Sequence, residues 1–194
     1  MKAKHIVLGV SGGIAAYKAC DLLTPLRDLG LEVRVALTKN AARFVTPLTF
    51  ASLTGHAVLV DELSGDPDPA IPHVSWARWA DLVLLAPATA DLIARIAHGI
   101  ADDSLTSLLL ALEPEKPIVI APAMNTQMWE NPFFRANLDR IREIGGSRFR
   151  FVDPVAKRLA CGDNGVGGLA PIDAIMSEVR EVATFRTRHW APDF

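Results

Sequence analysis

The chain has 194 residues, with 20 lysines and arginines against 22 aspartates and glutamates, so its formal net charge is −2 at pH 7. Half of the residues are apolar, which excludes an intrinsically disordered chain and predicts one globular domain with a substantial core. The near-neutral balance argues against proteins that bind nucleic acid or membrane surfaces through a basic excess. No apolar run approaches the roughly 18 residues that span a bilayer, and no secretory signal pattern is present. Because Cys20 and Cys161 form neither a metal-ligand nor a disulfide pattern, we expect a reduced, cytoplasmic protein without a metal.

Short apolar runs alternate with segments of helical periodicity along the chain. Strands are predicted at residues 5–10, 31–37, 58–60, 82–86, 117–121 and 148–152. Helices are predicted at about 14–29, 47–55, 73–80, 89–98, 104–112, 132–145 and 172–183, with long loops at 61–72 and 153–171. Parallel neighbouring strands need helical crossovers, so this alternation predicts a doubly wound parallel six-stranded sheet of the Rossmann or flavodoxin type. We expect one domain over residues 1–183 and a frayed tail over 184–194.

A glycine-rich turn, Gly9-Val10-Ser11-Gly12-Gly13-Ile14, follows the first strand. It differs from the dinucleotide fingerprint because the third glycine is missing and the second strand ends at Thr38 rather than at an acid. Backbone amides at such a turn can hold a phosphate, and the Thr38 hydroxyl would add a hydrogen bond. The pattern therefore favours a mononucleotide over NAD. A tight strand–helix turn without a ligand is the alternative, and the motif alone does not decide between them.

Two turns of small residues follow the fourth and fifth predicted strands, at residues 87–91 and 122–125. Each carries a polar side chain at a place where a planar ligand could lie against the backbone. For Thr89 we favour an ordinary helix-capping role. For Asn125 the apolar neighbours Met124 and Met128 favour a pocket wall with one polar anchor.

Single histidines and cysteines are mostly structural, and we assign that role to every histidine except His73. His73 opens a short helix after the proline-rich loop. Cys161 lies in a glycine-containing loop, where a thiol is incidental unless a basic group lowers its pKa. Cys20 lies on the apolar stripe of the first helix, so we expect it to contribute to packing.

Taken together, these segments resemble the flavin-containing cysteine decarboxylase family. The matching pieces run in order over about residues 5–183, nearly the whole chain: 11–18 (Ser-Gly-Gly-Ile-Ala-Ala-Tyr-Lys), His73, 86–91, 122–129 and 160–163 (Ala-Cys-Gly-Asp). The block at 122–129, Pro-Ala-Met-Asn-Thr-Gln-Met-Trp, is specific, because it separates this branch from the flavin prenyltransferases of the same fold. The glycine turn alone is not diagnostic.

The resemblance implies FMN as cofactor and assigns roles to individual residues. The FMN phosphate would lie at Gly12, Gly13, Ile14 and Thr38, and the ring at Thr89, Ala90, Asp91 and Ala123. The catalytic residues would be His73, as acid/base in the oxidative step, and Cys161, as a late proton donor. Substrate would bind at Asn125, which would hold its carboxylate, and at the flanking Met124 and Met128.

The implied reaction converts 4′-phospho-N-pantothenoylcysteine to 4′-phosphopantetheine in coenzyme A biosynthesis. A saturated cysteinyl carboxylate resists loss of CO₂ because the resulting carbanion has no electron sink. Transient oxidation to a thioaldehyde places a C=S group β to the carboxylate, and the enethiol left after decarboxylation is then reduced again. The alternatives are decarboxylation of a peptide C-terminal cysteine and a non-catalytic flavin-binding regulatory subunit. The resemblance also implies homo-oligomers, either trimers or dodecamers built of trimers, with each flavin at a subunit boundary.

Two positions depart from the family pattern. The family loop usually continues Gly-x-Gly-Arg-Met-Ala-Glu-Pro, whereas residues 165–171 lack both the arginine and the acid. Such a loss could weaken the binding of a phosphorylated substrate, since the planar fork of arginine is not easily replaced. Asp91 stands where many relatives carry asparagine, and a carboxylate accepts but does not donate hydrogen bonds. Since 194 residues leave no room for the ligase domain of bifunctional relatives, we expect none.

Overall fold

A parallel sheet with helices on both faces forms the body of the protein in the computed structural model, which describes residues 3–60, 72–158, 162 and 164–185. The sheet strands are β1 (His5–Val10), β2 (Glu32–Leu37), β3 (Leu82–Ala88), β4 (Ile118–Pro122) and β5 (Phe149–Phe151). The helices are α1 (Ala19–Asp28), α2 (Pro47–Thr54), α3 (Pro72–Trp79), α4 (Ala90–His98), α5 (Ser104–Ala111), α6 (Thr126–Glu130), α7 (Pro132–Gly145) and α8 (Ile172–Phe185). A separate hairpin joins β6 (Val155–Arg158) and β7 (Asn164–Gly168). No helix within the described ranges is both long and apolar enough to cross a bilayer.

The strand order β2-β1-β3-β4-β5 confirms the doubly wound parallel architecture. It is the flavodoxin-like order, in which the winding direction changes between β1 and β3. The register pairs the whole of β1 with β2, from His5 opposite Glu32 to Val10 opposite Leu37. At this switch point the loops that leave β1 and β3 diverge to opposite faces, so a crevice opens beyond the carboxyl ends of the strands.

Alternate residues of each strand enter two separate apolar cores, one on each face of the sheet. In β1, Ile6 and Leu8 pack in the core that contains α1 and α8, whereas Val7 packs in the core that contains α4, α5 and α7. All three side chains are completely buried. Burial on both faces explains why the central strands are nearly continuous apolar runs in the sequence.

The prediction of a strand at residues 58–60, and with it of a six-stranded sheet, is wrong. These residues form only an isolated bridge between Leu59 and Ala36. The Leu59 N–H donates to the Val35 carbonyl at 3.0 Å, and the Leu59 carbonyl accepts from the Leu37 N–H at 2.8 Å. One bridged residue does not form the row of paired hydrogen bonds that makes a strand part of a sheet. The sheet therefore has five strands and ends at β2.

The segment 153–171, predicted as a loop, contains the β6–β7 hairpin. Its strands are antiparallel, with Lys157 opposite Gly165 and Arg158 opposite Asn164. Glycine and charged residues are rare in strands, so the segment has no apolar alternation by which to recognise it. Residues 159–161 and 163, and with them Cys161, lie outside the described residues, as do 61–71 and 186–194.

Hydrogen bonds connect neighbouring strands at the carboxyl edge of the sheet. The Thr38 N–H donates to the Val10 carbonyl at 3.1 Å, and the Ala123 N–H donates to the Ala88 carbonyl at 3.0 Å. Between them the buried Ser11 hydroxyl donates to the Pro87 carbonyl at 2.7 Å and accepts from the Thr89 N–H at 2.8 Å. Ser11 therefore fixes the ends of β1 and β3 to each other across the switch point.

Replacing Ser11 by alanine should lower the free energy of unfolding by about 1–3 kcal/mol, because it removes the buried bond to the Pro87 carbonyl and leaves the partly buried Thr89 N–H without its acceptor. Ser104 provides a matched control, since its hydroxyl is buried but has no hydrogen-bond partner in the described part of the chain. We expect Ser104→Ala to be neutral or slightly stabilising. Urea unfolding of the two variants measures the difference, and equal losses would contradict the bridging role of Ser11.

Candidate active site

A cavity of about 1030 Å³ lies at the carboxyl edge of the sheet, between the loops after β1 to β4 and the β6–β7 hairpin. Its size lies at the upper end of the usual range for ligand pockets, roughly 300–1,000 Å³. All of the residues predicted to contact FMN or to hold substrate line it: Gly12, Gly13, Ile14, Thr38, Thr89, Ala90, Asp91, Ala123, Met124, Asn125 and Met128. The fold thus brings together segments that are more than one hundred residues apart.

One end of the cavity is suited to an anion. The backbone N–H groups of Gly12, Gly13 and Ile14 donate no hydrogen bond to any residue that the structure describes. Beside them, the Thr38 hydroxyl oxygen accepts from the Ala41 N–H at 3.2 Å, which leaves the hydroxyl hydrogen for another acceptor. Unpaired donors of this kind match the oxygens of a phosphate.

Small side chains form the wall next to this end. Thr89 caps α4 by accepting from the Leu92 N–H at 3.3 Å, as the sequence analysis favoured. The backbone N–H groups of Ala90 and Asp91, in the first turn of α4, have no acceptor among the described residues. These two N–H donors and the small side chains of Thr89, Ala90 and Ala123 form a shallow wall of the cavity. Such a surface is suited to a flat heteroaromatic ring that accepts hydrogen bonds.

Three carboxylates that line the cavity are all held by one arginine. Arg95 bonds Asp91 at 2.6 Å, Asp102 at 2.9 Å and Asp103 at 2.9 Å. Burial lowers the pKa of Arg95, but these aspartates outweigh burial and raise it overall. Sequence reasoning missed this cluster, although the i, i+4 spacing of Asp91 and Arg95 is a recognisable helical ion pair. Both Asp91 oxygens contact Arg95, which offsets one of the three negative charges and leaves the cluster with a net charge of −2.

Asn125 begins the short helix α6, which the sequence analysis did not predict. Its side-chain oxygen accepts from the Gln127 N–H at 2.8 Å, so the residue caps the helix and faces the cavity at the same time. The preceding Met124 N–H donates to the Gly167 carbonyl at 2.9 Å. Gly167 has φ of 147°, and a Cβ there would overlap the Met124 carbonyl oxygen, so this approach requires glycine.

His73 is not among the described residues that line this cavity. It lies in the first turn of α3, whose carboxyl end is fixed by the buried Lys116 ammonium, which donates to the Ala77 carbonyl at 3.0 Å and to the Arg78 carbonyl at 2.9 Å. The residues predicted to bind cofactor and substrate therefore line one cavity of a single chain, whereas the predicted acid/base residue does not line it. Cys161, the other predicted catalytic residue, lies outside the described residues.

Two features of the cavity had no counterpart in the sequence analysis. Besides Arg95, four more cationic side chains line it: Lys18, Lys39, Lys157 and Arg158. Exposed apolar side chains also line it: Ile14 is 58% exposed, Tyr17 55% and Met128 46%. Apolar groups at the border of a cavity are typical of a surface that contacts a partner.

Cys20 is a half-buried residue of α1 and packs against the core, as expected. Burial raises the pKa of its thiol, and the neighbouring Asp21 raises it further. A thiol with a raised pKa forms less thiolate, which agrees with a packing role for Cys20.

Comparison with known proteins adds to this geometry. A family model described as "Flavoprotein" matches residues 1–184. The chain is 44% identical over 178 residues to a probable phosphopantothenoylcysteine decarboxylase from Streptococcus mutans, covering 92% of this chain and 98% of that protein. Against the coenzyme A biosynthesis bifunctional protein CoaBC of Bacillus subtilis, with 40% identity, it spans only 44% of the relative's length.

Two solved structures share both the fold and about a third of the sequence. One is a PPC decarboxylase with a cysteine-to-serine substitution, complexed with pantothenoylaminoethenethiol; it has a TM-score of 0.80 and 34% identity, and the match covers 91% of this chain and 96% of that one. The other is the FMN-binding protein AtHal3, with a TM-score of 0.76, 34% identity and coverage of 91% and 95%. Together with the family match over nearly the whole length and the assembled cavity, these similarities show that the chain belongs to the flavoprotein family, close to its phosphopantothenoylcysteine decarboxylases.

Proposed function

We propose that this chain decarboxylates 4′-phospho-N-pantothenoylcysteine to 4′-phosphopantetheine with FMN as cofactor, as a cytoplasmic enzyme of coenzyme A biosynthesis. The observation that carries the proposal is the single cavity, which combines an anion-binding turn, a flat wall and the Asn125 block. Its size allows a cofactor and a substrate to lie side by side. The names of the similar decarboxylases support the choice of substrate.

FMN fits the residues that are present. Its phosphate would accept hydrogen bonds from the amides of Gly12, Gly13 and Ile14 and from the Thr38 hydroxyl. Its ring would lie along the wall formed by Thr89, Ala90 and Ala123, where the first-turn amides of α4 donate. When bound, FMN supplies reversible hydride acceptance at the carbon that bears the substrate sulfur.

The chain's own residues would orient the substrate and move protons. The Asn125 amide would hold the substrate carboxylate, in a geometry that its cap to the Gln127 N–H already fixes. Met124 and Met128 supply apolar surface beside it, which reduces the hydration of the carboxylate and favours loss of CO₂. Cys161 would protonate the substrate carbon late in the cycle.

A homotrimer, alone or within a dodecamer, would complete the site. His73 does not line the cavity of its own chain, whereas the exposed apolar side chains of Ile14, Tyr17 and Met128 lie at that cavity's border. If this border packs against a second copy, His73 of that copy is available as the acid/base residue. The fixed carboxyl end of α3, held by Lys116, would keep the histidine in place.

The reaction itself is tested by incubating purified FMN-loaded protein with 4′-phospho-N-pantothenoylcysteine. We expect release of CO₂ and formation of 4′-phosphopantetheine, detected by mass spectrometry, without added NAD or metal. Turnover of a peptide with a C-terminal cysteine instead would favour the peptide-modifying alternative. Binding of FMN without turnover of either substrate would favour a regulatory subunit, and protein that takes up no FMN would contradict the proposal at its base.

A shared site predicts complementation between two inactive variants. His73→Asn and Asn125→Asp should each lower kcat/KM by roughly 100-fold or more, because one removes the acid/base and the other adds a charge beside the substrate carboxylate. Co-expressed with different tags and purified as mixed oligomers, the two variants should regain activity at sites that combine both intact residues. Oligomers that contain only one of the two variants, co-expressed with both tags, are the control and should stay inactive. Mixed oligomers that stay inactive would show that His73 does not act across a subunit boundary.

Cys161→Ser should separate the two halves of the reaction. A serine hydroxyl is a far weaker acid than a thiol, whose pKa is about 8.5, so late proton delivery should fail while CO₂ is still released. After anaerobic mixing with substrate, the flavin absorbance at visible wavelengths should remain bleached in this variant and recover in the unmodified protein. Cys20→Ser is the matched control and should recover normally. Normal turnover by Cys161→Ser would remove Cys161 from the mechanism.

A further inference from the structure

A second cavity, of about 410 Å³, lies on the face of the sheet that α4, α5 and α7 cover. Its wall comes from the end of α4, from α5, from the end of α7 and from the first residues of β4 and β5. Its volume lies within the usual range for ligand pockets, roughly 300–1,000 Å³. Among the described residues, Arg95 is the one that lines both this second cavity and the active-site cavity at the carboxyl edge of the sheet. The two cavities share this side chain and are otherwise separate.

The second cavity is apolar both inside and at its border. Inside, Ile118 and Ile141 are buried, whereas at the border the side chains of Ile100, Leu110 and Ile144 are between 48% and 69% exposed. A ligand with an apolar body that lay among these side chains would remove apolar surface from water, which is favourable. The shape and the chemistry of the wall therefore fit a small molecule with an apolar body.

Two arginines add positive charge to this apolar surface. Neither Arg140 nor Arg148 forms an ion pair with a carboxylate in the described part of the chain, and the described residues that line the second cavity include no aspartate or glutamate. Burial lowers the pKa of Arg148, and the charge of Glu115 offsets this effect only in part. A partly buried cation without a paired counter-ion favours the binding of an anion.

Both guanidinium groups are held in place at the ends of helices. The Arg140 Nε donates to the Ala97 carbonyl in the last turn of α4 at 2.7 Å. The Arg148 Nε donates to the Lys116 carbonyl at 2.9 Å, and its Nη2 donates to the Leu112 carbonyl, just after α5, at 3.1 Å. A guanidinium has five N–H donors, so neither arginine uses all of its donors on described residues. Because these groups are already fixed, they lose little conformational freedom when a ligand binds.

We propose that the second cavity binds a small amphipathic carboxylate, with its apolar body among the isoleucine and leucine side chains and its carboxylate on Arg140 and Arg148. The planar fork of arginine matches the two oxygens of a carboxylate, and such charge-assisted hydrogen bonds are stronger than neutral ones. The inference does not rest on the proposed function, because the residues that carry it do not line the active-site cavity. Arg95, which holds three aspartates of the active-site cavity, is not needed for it.

Calorimetric titration of the FMN-loaded protein with 4-phenylbutyrate tests the site. We expect saturable binding of one molecule per chain with a Kd of about 1 mM or lower. 4-Phenyl-1-butanol keeps the apolar body without the charge, and acetate keeps the charge without the apolar body, so each should bind at least about tenfold more weakly. Absence of saturable binding of 4-phenylbutyrate, or equal affinity for the alcohol, would overturn the inference.

Substitution of the arginines tests the carboxylate contact. Arg140→Gln and Arg148→Gln should each weaken the binding of 4-phenylbutyrate by about tenfold or more, the effect of losing one charge-assisted hydrogen bond. Arg140 is exposed, so its variant keeps the test available if Arg148→Gln does not fold. Arg142→Gln, on the same helix but outside the second cavity, is the matched control and should leave the Kd unchanged. Undiminished binding in Arg140→Gln would contradict the assigned contact and with it the inference.

Two further variants locate the ligand. Ile144→Asp places a carboxylate at the exposed border of the second cavity, so it should weaken the binding of 4-phenylbutyrate by repulsion and leave the fold intact. Lys157→Gln removes a cation that lines the active-site cavity and should leave this binding unchanged. Loss of binding in Lys157→Gln would place the ligand in the active-site cavity and overturn the inference. A changed oligomer size of Ile144→Asp in light scattering would make the border an interface between copies of the chain and would overturn it as well.

Discussion

The hydroxyl of Ser11 determines how the loops around the cavity are arranged. At a switch point of a doubly wound sheet the chain diverges to both faces, so no regular ladder continues past the ends of β1 and β3. Ser11 supplies the missing connection through its bonds to the Pro87 carbonyl and the Thr89 N–H. The Ser11 backbone N–H also donates to the Pro87 carbonyl at 3.1 Å, so the backbone and the side chain of one residue together anchor the glycine turn to the start of α4. The unpaired amides of the glycine turn and the first turn of α4 are consequently connected through Ser11.

Charge is distributed unevenly in this molecule. The whole chain is slightly acidic, yet the cavity gathers cations and contains its acids in one cluster around Arg95. A local field of this sign attracts anionic ligands although the net charge of the protein is negative. Overall composition could not show that the charged side chains lining one cavity are mostly cationic.

Local patterns in the sequence predicted most of the fold. Thr46 and Pro47 mark the start of α2 and Gly55 its end, because capping and backbone preferences act within a few residues. Long-range features were not predictable in this way. The β6–β7 hairpin is stabilised by pairing between strands that have no apolar pattern of their own, and residues 58–60 failed to extend beyond one bridge. Lys18 and Lys157, far apart in the sequence, line the same cavity only in the folded chain.

The hairpin is attached to the sheet through backbone atoms, by the bond from the Met124 N–H to the Gly167 carbonyl. This backbone hydrogen bond does not involve the side chains of β6, the strand that pairs with β7. A change of side chain at residues 155–158 therefore leaves this bond in place as long as position 167 stays glycine. The residues that β6 presents to the cavity, Lys157 and Arg158, can thus be replaced without altering how β7 is joined to the loop after β4.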